Sequence, residues 1–172
     1  MNAAGGDVHE SDPKRPPYPV GLLLDGRAVV VVGGGRVAAR RIGALLAGGA
    51  LVTVVAPRLD PLIRGLADEG RVQVHERTYA LGDLAWAWYA MAVTDDADVN
   101  AAVVAEAEDT RVFCVRADDA LRGTAWTPAS GRVGDLTVAV LANRAPRRAA
   151  AVRDELLDVL RRAAETGPSA DG

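Results

Sequence analysis

The sequence holds a single cysteine, Cys114, so no internal disulfide can form and no multi-cysteine metal site can be built. Its two histidines, His9 and His75, leave too few nitrogen and sulfur ligands for a resident metal. Aromatics are scarce, at 4% of 172 residues, so the core must be assembled from Val, Leu and Ala. No apolar run approaches the roughly 18 residues of a membrane span. The start of the chain, with Asp7, Glu10 and Asp12, is not a secretory signal. These absences point to a cytoplasmic protein with no membrane partner. A net charge of −3 provides no global basic field to attract nucleic acid. Lysine is nearly missing too: Lys14 is the one lysine among 20 basic residues. Guanidinium groups bind carboxylates bidentately, so this arginine-rich chain is equipped for a polycarboxylate ligand.

What is present in quantity is small and β-branched. Val29-Val30-Val31-Val32 runs into Gly33-Gly34-Gly35 and out into Arg36-Val37-Ala38-Ala39. A strand buried on both faces needs such an apolar run. Gly33 allows the tight turn, Gly35 has no Cβ to hold a pyrophosphate off the backbone, and Ala38 lets the helix pack close. That helix starts at about Arg36, so the free N–H groups of its first turn, around Arg36 and Val37, face a phosphate. The pattern is that of a dinucleotide-binding turn.

Strands are predicted at Ala28–Val32, Leu51–Val55, Val72–Glu76, Trp88–Val93 and Val112–Val115, with helices over Val37–Ala47, from Asp60-Pro61 to Gly70, and from Thr94-Asp95-Asp96 to about Glu108. This alternation argues an α/β fold, a Rossmann-like, doubly wound and mostly parallel sheet. Thr124–Ala129 and Leu136–Leu141 then read as a hairpin turning at Gly131-Arg132-Val133-Gly134, followed by a helix over Pro146–Arg162. Two strands without a covering layer present an edge that asks for a partner, which favours a homodimer. The expected organisation is a disordered leader at 1–17, a nucleotide domain at 18–118, a dimerisation and substrate segment at 119–164, and a flexible tail at 165–172.

The cofactor zone should also include the end of the second strand, Ala56-Pro57-Arg58, and the Thr94-Asp95-Asp96 loop. An acid for a ribose 2′-hydroxyl is expected near the former. None occurs before Asp60, and Arg58 suits a 2′-phosphate, so the residues leave NAD and NADP both open.

Taken in order, Tyr18-Pro19 to Asp25-Gly26, Val32 to Ala38, Val93-Thr94-Asp95-Asp96 with Asn100, and Phe113-Cys114 with Asp118 resemble the N-terminal module of siroheme synthase. That resemblance implies oxidation of precorrin-2 to sirohydrochlorin with NAD as hydride acceptor. In many members insertion of Fe2+, a substrate rather than a bound cofactor, follows to give siroheme. It also implies a dimer and makes Asp118 the catalytic carboxylate. Such a group, at the carboxyl end of a strand, can take the proton that leaves with the hydride. The adjacent Asp119 is either a turn cap or the true base. Arg116, Arg122, Trp126, Asn143, Arg144, Arg147 and Arg148 are the substrate candidates. Asn100 braces the loop before it or does not, on equal terms. Val115 stands where the family has Asn, and Leu141–Pro146 replaces its Ser- and Gly-rich loop. The altered loop keeps open a dehydrogenase without metal insertion; the other readings are a non-catalytic NAD-binding dimer and an unrelated Rossmann oxidoreductase.

Overall fold

Val29, Val31, Val30 and Val32 of the first strand divide between two cores, and that division sets the architecture. In a computed structural model describing residues 15–142 and 145–166, β1 is Ala28–Val32. Val29 and Val31 pack with Ala38 and Ile42 of α1 (Arg36–Ala47) and Ile63 of α2 (Pro61–Asp68). Val30 and Val32 point to the other face, against Val103, Val104 and Ala107 of α3 (Ala97–Asp109). Alternation along one strand therefore feeds a helical layer on each side. Burying each valine contributes about 1.5–3 kcal/mol.

The sheet adds β2 (Leu51–Val55), β3 (Gln73–His75), β4 (Tyr89–Ala92) and β5 (Phe113–Arg116). Its order is β3-β2-β1-β4-β5, and every pairing is parallel. Val29 faces Val52 on one side and Tyr89 on the other. The strand order reverses between β1 and β4, and there the carboxyl ends open a crevice.

Local chemistry fixes the helix ends. Asp60 accepts from Leu62 N at 3.0 Å to start α2, with Pro61 in its first turn. Asp96 accepts from Asp98 N and Val99 N at 2.9 and 3.1 Å to start α3. Gly49, at φ 76°, ends the α1 turn.

The chain divides into two compact units, one to Ala125 and one from Trp126, later than the boundary expected after residue 118. The segment following β5 belongs to the first unit because its backbone is tied there. Thr124 N and Ala125 N donate to Cys114 O, and Cys114 N donates to Thr124 Oγ1 at 2.8 Å.

In the second unit, β6 (Ala129–Val133) and β7 (Leu136–Val140) form the antiparallel hairpin, and α4 (Pro146–Thr166) packs on both strands. This corrects the sequence expectation, which put the first strand at Thr124–Ala129 and the turn over Gly131–Gly134, of which only Gly134 lies outside the strand. Gly131 is strand residue, not turn: a Cβ there would run into the Leu157 side chain, so its smallness serves helix packing. The positive φ that turns the hairpin, 59°, is at Gly134. The helix also runs to Thr166, past the expected end and into the segment read as tail. Among the described residues no helix is long and apolar enough to cross a membrane.

Candidate functional site

Three adjacent glycines at the end of β1 serve three different needs. Gly33 takes φ 121°, and a Cβ on it would lie 2.7 Å from Val93 O at the end of β4. Gly34 is hemmed in by the loop after β2: a Cβ would sit 2.8 Å from Ala56 Cβ and collide with the Arg58 carbonyl. Its own carbonyl accepts from Asp60 N at 2.7 Å. Gly35 differs from both, because a Cβ on it would meet open space. The first two glycines close the turn onto its neighbours, and the third leaves the backbone bare toward the crevice.

Gly35 is also the N-cap of α1, with no side-chain cap and no acidic residue in the first turn. The contrast with the other crevice helices is chemical: Asp60 caps α2 and Asp96 caps α3. The exposed start of α1 at Arg36 and Val37 thus keeps its N–H groups and its positive dipole end for an anion. A pyrophosphate fits this bare backbone and uncapped helix start. Ala56 is buried beside Gly34, while Pro57 and Arg58 are exposed. Asp60, the first acid after β2, already caps its own helix.

On the other side of the turn, Asn100 of α3 joins two loops. It is 0% exposed. Its Oδ1 accepts from Thr94 N at 3.1 Å and from the Thr94 hydroxyl at 2.8 Å. Its Nδ2 donates to Thr94 O at 3.0 Å and to Asp118 Oδ1 at 2.9 Å. Contacts therefore run from Gly33 through Val93 and Thr94 to Asn100 and on to Asp118. The Thr94 hydroxyl is engaged inside this network, Asp95 is exposed, and Asp96 serves as helix cap.

Asp118 lies just past β5 with its side chain 32% exposed, against an Arg116 side chain 7% exposed. Arg116 Nε donates to both carboxylate oxygens at 3.0 and 3.2 Å, and Nη2 donates to Oδ2 at 2.8 Å. Nη2 also donates to Ala97 O at 3.1 Å. The Arg116 hydrogen bond is the main cause holding the Asp118 carboxyl below the usual carboxylate range, and Asn100 adds to it. Arg116 was expected among the substrate arginines. It is instead buried and spent on Asp118. Asp119 accepts from Leu121 N at 3.2 Å and starts the short 3₁₀ turn Ala120–Arg122, which is the cap alternative for that residue.

The remaining candidates belong to both units. Arg122 is exposed and lies 3.6 Å from Asp119. Trp126 opens the second unit, half-buried. Arg147 and Arg148 are exposed at the start of α4, and Arg148 lines a cavity of about 380 Å³ with Val140, Leu141, Ala145, Ala149 and Val152. Asn143 and Arg144 lie outside the described residues. Cys114 is buried in β5, and His75 is exposed on the edge strand β3. Among the described residues, no three His, Cys, Asp or Glu side chains gather to hold a metal ion.

The pairing of Arg116 with Asp118 was missed in the sequence. Positions i and i+2 at a strand end share a face, and that spacing was the available signal. Buried Glu106 was missed as well. It accepts from Gly82 N and Leu84 N at 3.1 and 2.9 Å and from the Tyr79 hydroxyl, pinning the segment that leads into β4.

Comparison with known proteins agrees with this geometry. Residues 20–129 match a family described as "Putative NAD(P)-binding". The chain is 34% identical over 123 residues to the precorrin-2 dehydrogenase of Bacillus subtilis, covering 71% of this chain and 75% of that protein. It is 37% identical over 139 residues to siroheme synthase 3 of Aeromonas hydrophila, covering 80% of this chain and 30% of the relative's length. The solved structure of SirC, a precorrin-2 dehydrogenase, superposes with a TM-score of 0.68 at 30% identity, covering 81% of this chain and 69% of that one. The chain belongs to this NAD(P)-binding family, in the branch shared by precorrin-2 dehydrogenases and the N-terminal module of siroheme synthases.

Proposed function

We propose that this protein oxidises precorrin-2 to sirohydrochlorin with NAD, using Asp118 as the proton acceptor. The observation that carries the reading is the run of contacts from the glycine turn through Thr94 and Asn100 to Asp118, which sets an ionised carboxylate beside a bare anion-binding backbone. Gly33 and Gly34 shape the turn. Gly35 and the first-turn N–H groups at Arg36 and Val37 would hold the pyrophosphate, with Ala56, Pro57 and Arg58 on one flank and Thr94, Asp95 and Asp96 on the other. When bound, the nicotinamide supplies the hydride acceptor. Asp118, ionised well below neutral pH, takes the proton released as the substrate is dehydrogenated.

The cofactor has a second reading. Exposed Arg58 and the engagement of Asp60 as a helix cap favour NADP, and a side-by-side comparison of the two affinities decides. Arg122, Arg147 and Arg148, with Trp126, are the described residues proposed to meet the substrate's carboxylates and ring. A homodimer through the second unit is part of the proposal, supported by a two-stranded sheet and by exposed Val152, Leu156 and Val159 on α4. Fe2+ insertion, with the metal as substrate, would call on the same carboxylate for the macrocycle's N–H protons.

The test is anaerobic incubation with precorrin-2 and NAD, followed by ultraviolet-visible spectra. Wild type is expected to convert the substrate. Asp118→Asn is expected to lose turnover while its NAD affinity stays within about twofold, roughly 0.4 kcal/mol. Wild-type-like turnover in that variant would refute the role of Asp118. Cofactor binding by wild type with no spectral change would instead support a non-catalytic module. Adding Fe2+ to the product tests insertion in the same cuvette.

A further inference from the structure

We infer that Arg116 is a positioning residue for the reaction: its buried fork holds the Asp118 carboxylate in one orientation, with Asn100 fixing Oδ1. The inference rests on the reading of Asp118 as the base and adds what aims it.

The geometry assigns each donor. Oδ1 accepts from Asn100 Nδ2 at 2.9 Å and from Arg116 Nε at 3.0 Å. A carboxylate oxygen has about two lone-pair sites, and the shared Nε gives each oxygen of Asp118 two donors. Among the side chains described, Oδ2 meets Arg116 alone, chiefly Nη2 at 2.8 Å. The carboxylate is partly exposed while both its holders are buried, Arg116 at 6% and Asn100 at 0%. Arg116 is anchored in turn by donation to Ala97 O at the start of α3. The clamp thus ties the ends of β4 and β5 and the first turn of α3 to a single carboxylate.

A lysine could not do this. A bidentate fork fixes the plane of a carboxylate, whereas an ammonium acts as a point charge. The arrangement also has an electrostatic consequence. The charged groups acting on this pair are Arg116 on the carboxylate and, on Arg116, Asp118 foremost and then Asp119 and Asp98 of α3, which hold the guanidinium protonated. Removing Arg116 takes away the main group that holds the Asp118 carboxyl down and leaves the desolvation that opposes it, which raises the affinity of Asp118 for a proton. A base works when deprotonated, so the acid limb of the rate profile must then move to higher pH.

The experiment compares pH profiles of precorrin-2 oxidation for wild type, Arg116→Gln and Arg116→Lys. The substrate's own carboxylates titrate alike in all three, so differences report the enzyme. Arg116→Gln is expected to move the acid limb up by about one pH unit or more and to lower kcat about a hundredfold through misplacement of the base, with KM for NAD unchanged. Arg116→Lys keeps the charge, so its acid limb is expected to stay with wild type while kcat still falls. An unmoved limb in Arg116→Gln, or a wild-type kcat in Arg116→Lys, overturns the inference. Should Arg116→Gln fail to fold, carbon NMR of the Asp118 carboxyl in wild type and Arg116→Lys still decides, because titration in the ordinary range in wild type refutes the clamp. An active Asp118→Asn would bring down the reading of Asp118 as base, which is a different failure from an Arg116 variant without effect.

Discussion

Replacing each turn glycine by alanine separates the residues that shape the crevice from the one that faces its ligand. In Gly33→Ala the new side chain inherits φ 121° and a 2.7 Å approach to a backbone oxygen, Val93 O. Strain in that region with overpacking against backbone costs about 3 kcal/mol or more. For a chain of this size the unfolding midpoint should fall by roughly 6–12 °C. In Gly34→Ala the Cβ is driven into the backbone carbonyl of Arg58 and to 2.8 Å from Ala56 Cβ. The cost should again be about 3 kcal/mol or more. Gly35→Ala meets open space at an ordinary φ of −86°. It gives up a modest N-cap preference, under about 1 kcal/mol. Its methyl group instead projects where an anion must approach the first-turn N–H groups. Losing even one charge-assisted hydrogen bond there costs about 1.5–3 kcal/mol, or roughly ten- to a hundredfold in NAD affinity. Thermal unfolding and calorimetric titration on the same three variants test this. A Gly35→Ala protein that binds NAD like wild type, or a Gly33→Ala protein that melts like wild type, would refute the division of roles.

Burial pushes the Cys114 thiol up to about 12, so the native protein near neutral pH should resist a thiol reagent that labels it fully once denatured; rapid labelling of the native protein would contradict this. Hydrogen bonding to Arg77, at 2.6 and 2.8 Å, holds Asp83 below the usual carboxylate range. Its stabilising contribution is complete above the unfolded value, about 3.9, and is lost as pH falls through the lower folded value. Asp83→Asn should therefore lower the unfolding midpoint near neutral pH and converge on wild type in acid, and an equal loss at both would count against the pairing. Glu106→Ala leaves Gly82 N and Leu84 N without their acceptor. It should cost about 2–4 kcal/mol, with both amides exchanging faster by hydrogen-exchange mass spectrometry.

Features written in neighbouring residues were legible in the sequence, and features made by strand order were not. β1, β2, the start of α1 and the Asp60-Pro61 cap each follow from a few consecutive side chains, and the structure places them where those side chains put them. Gly131 was misread for the complementary reason: glycine between two apolar runs suggests a turn, whereas it pairs with Val138 of β7 and leaves room for Leu157, more than twenty positions away on α4. Arg116 shows the same limit at the site itself. Counted as one of many arginines, it reads as a surface cation looking for a carboxylate on a ligand. The sheet order β3-β2-β1-β4-β5 sets the end of β5 beside that of β4, so Asn100 and Ala97 of the helix after β4 reach Asp118 and Arg116. The carboxylate that Arg116 finds is two residues along its own chain. It follows that arginine richness alone says little about where a polycarboxylate would bind here. Removing Arg116 should act through the carboxylate it holds, and removing exposed Arg122, Arg147 or Arg148 should act on substrate affinity in a salt-dependent way.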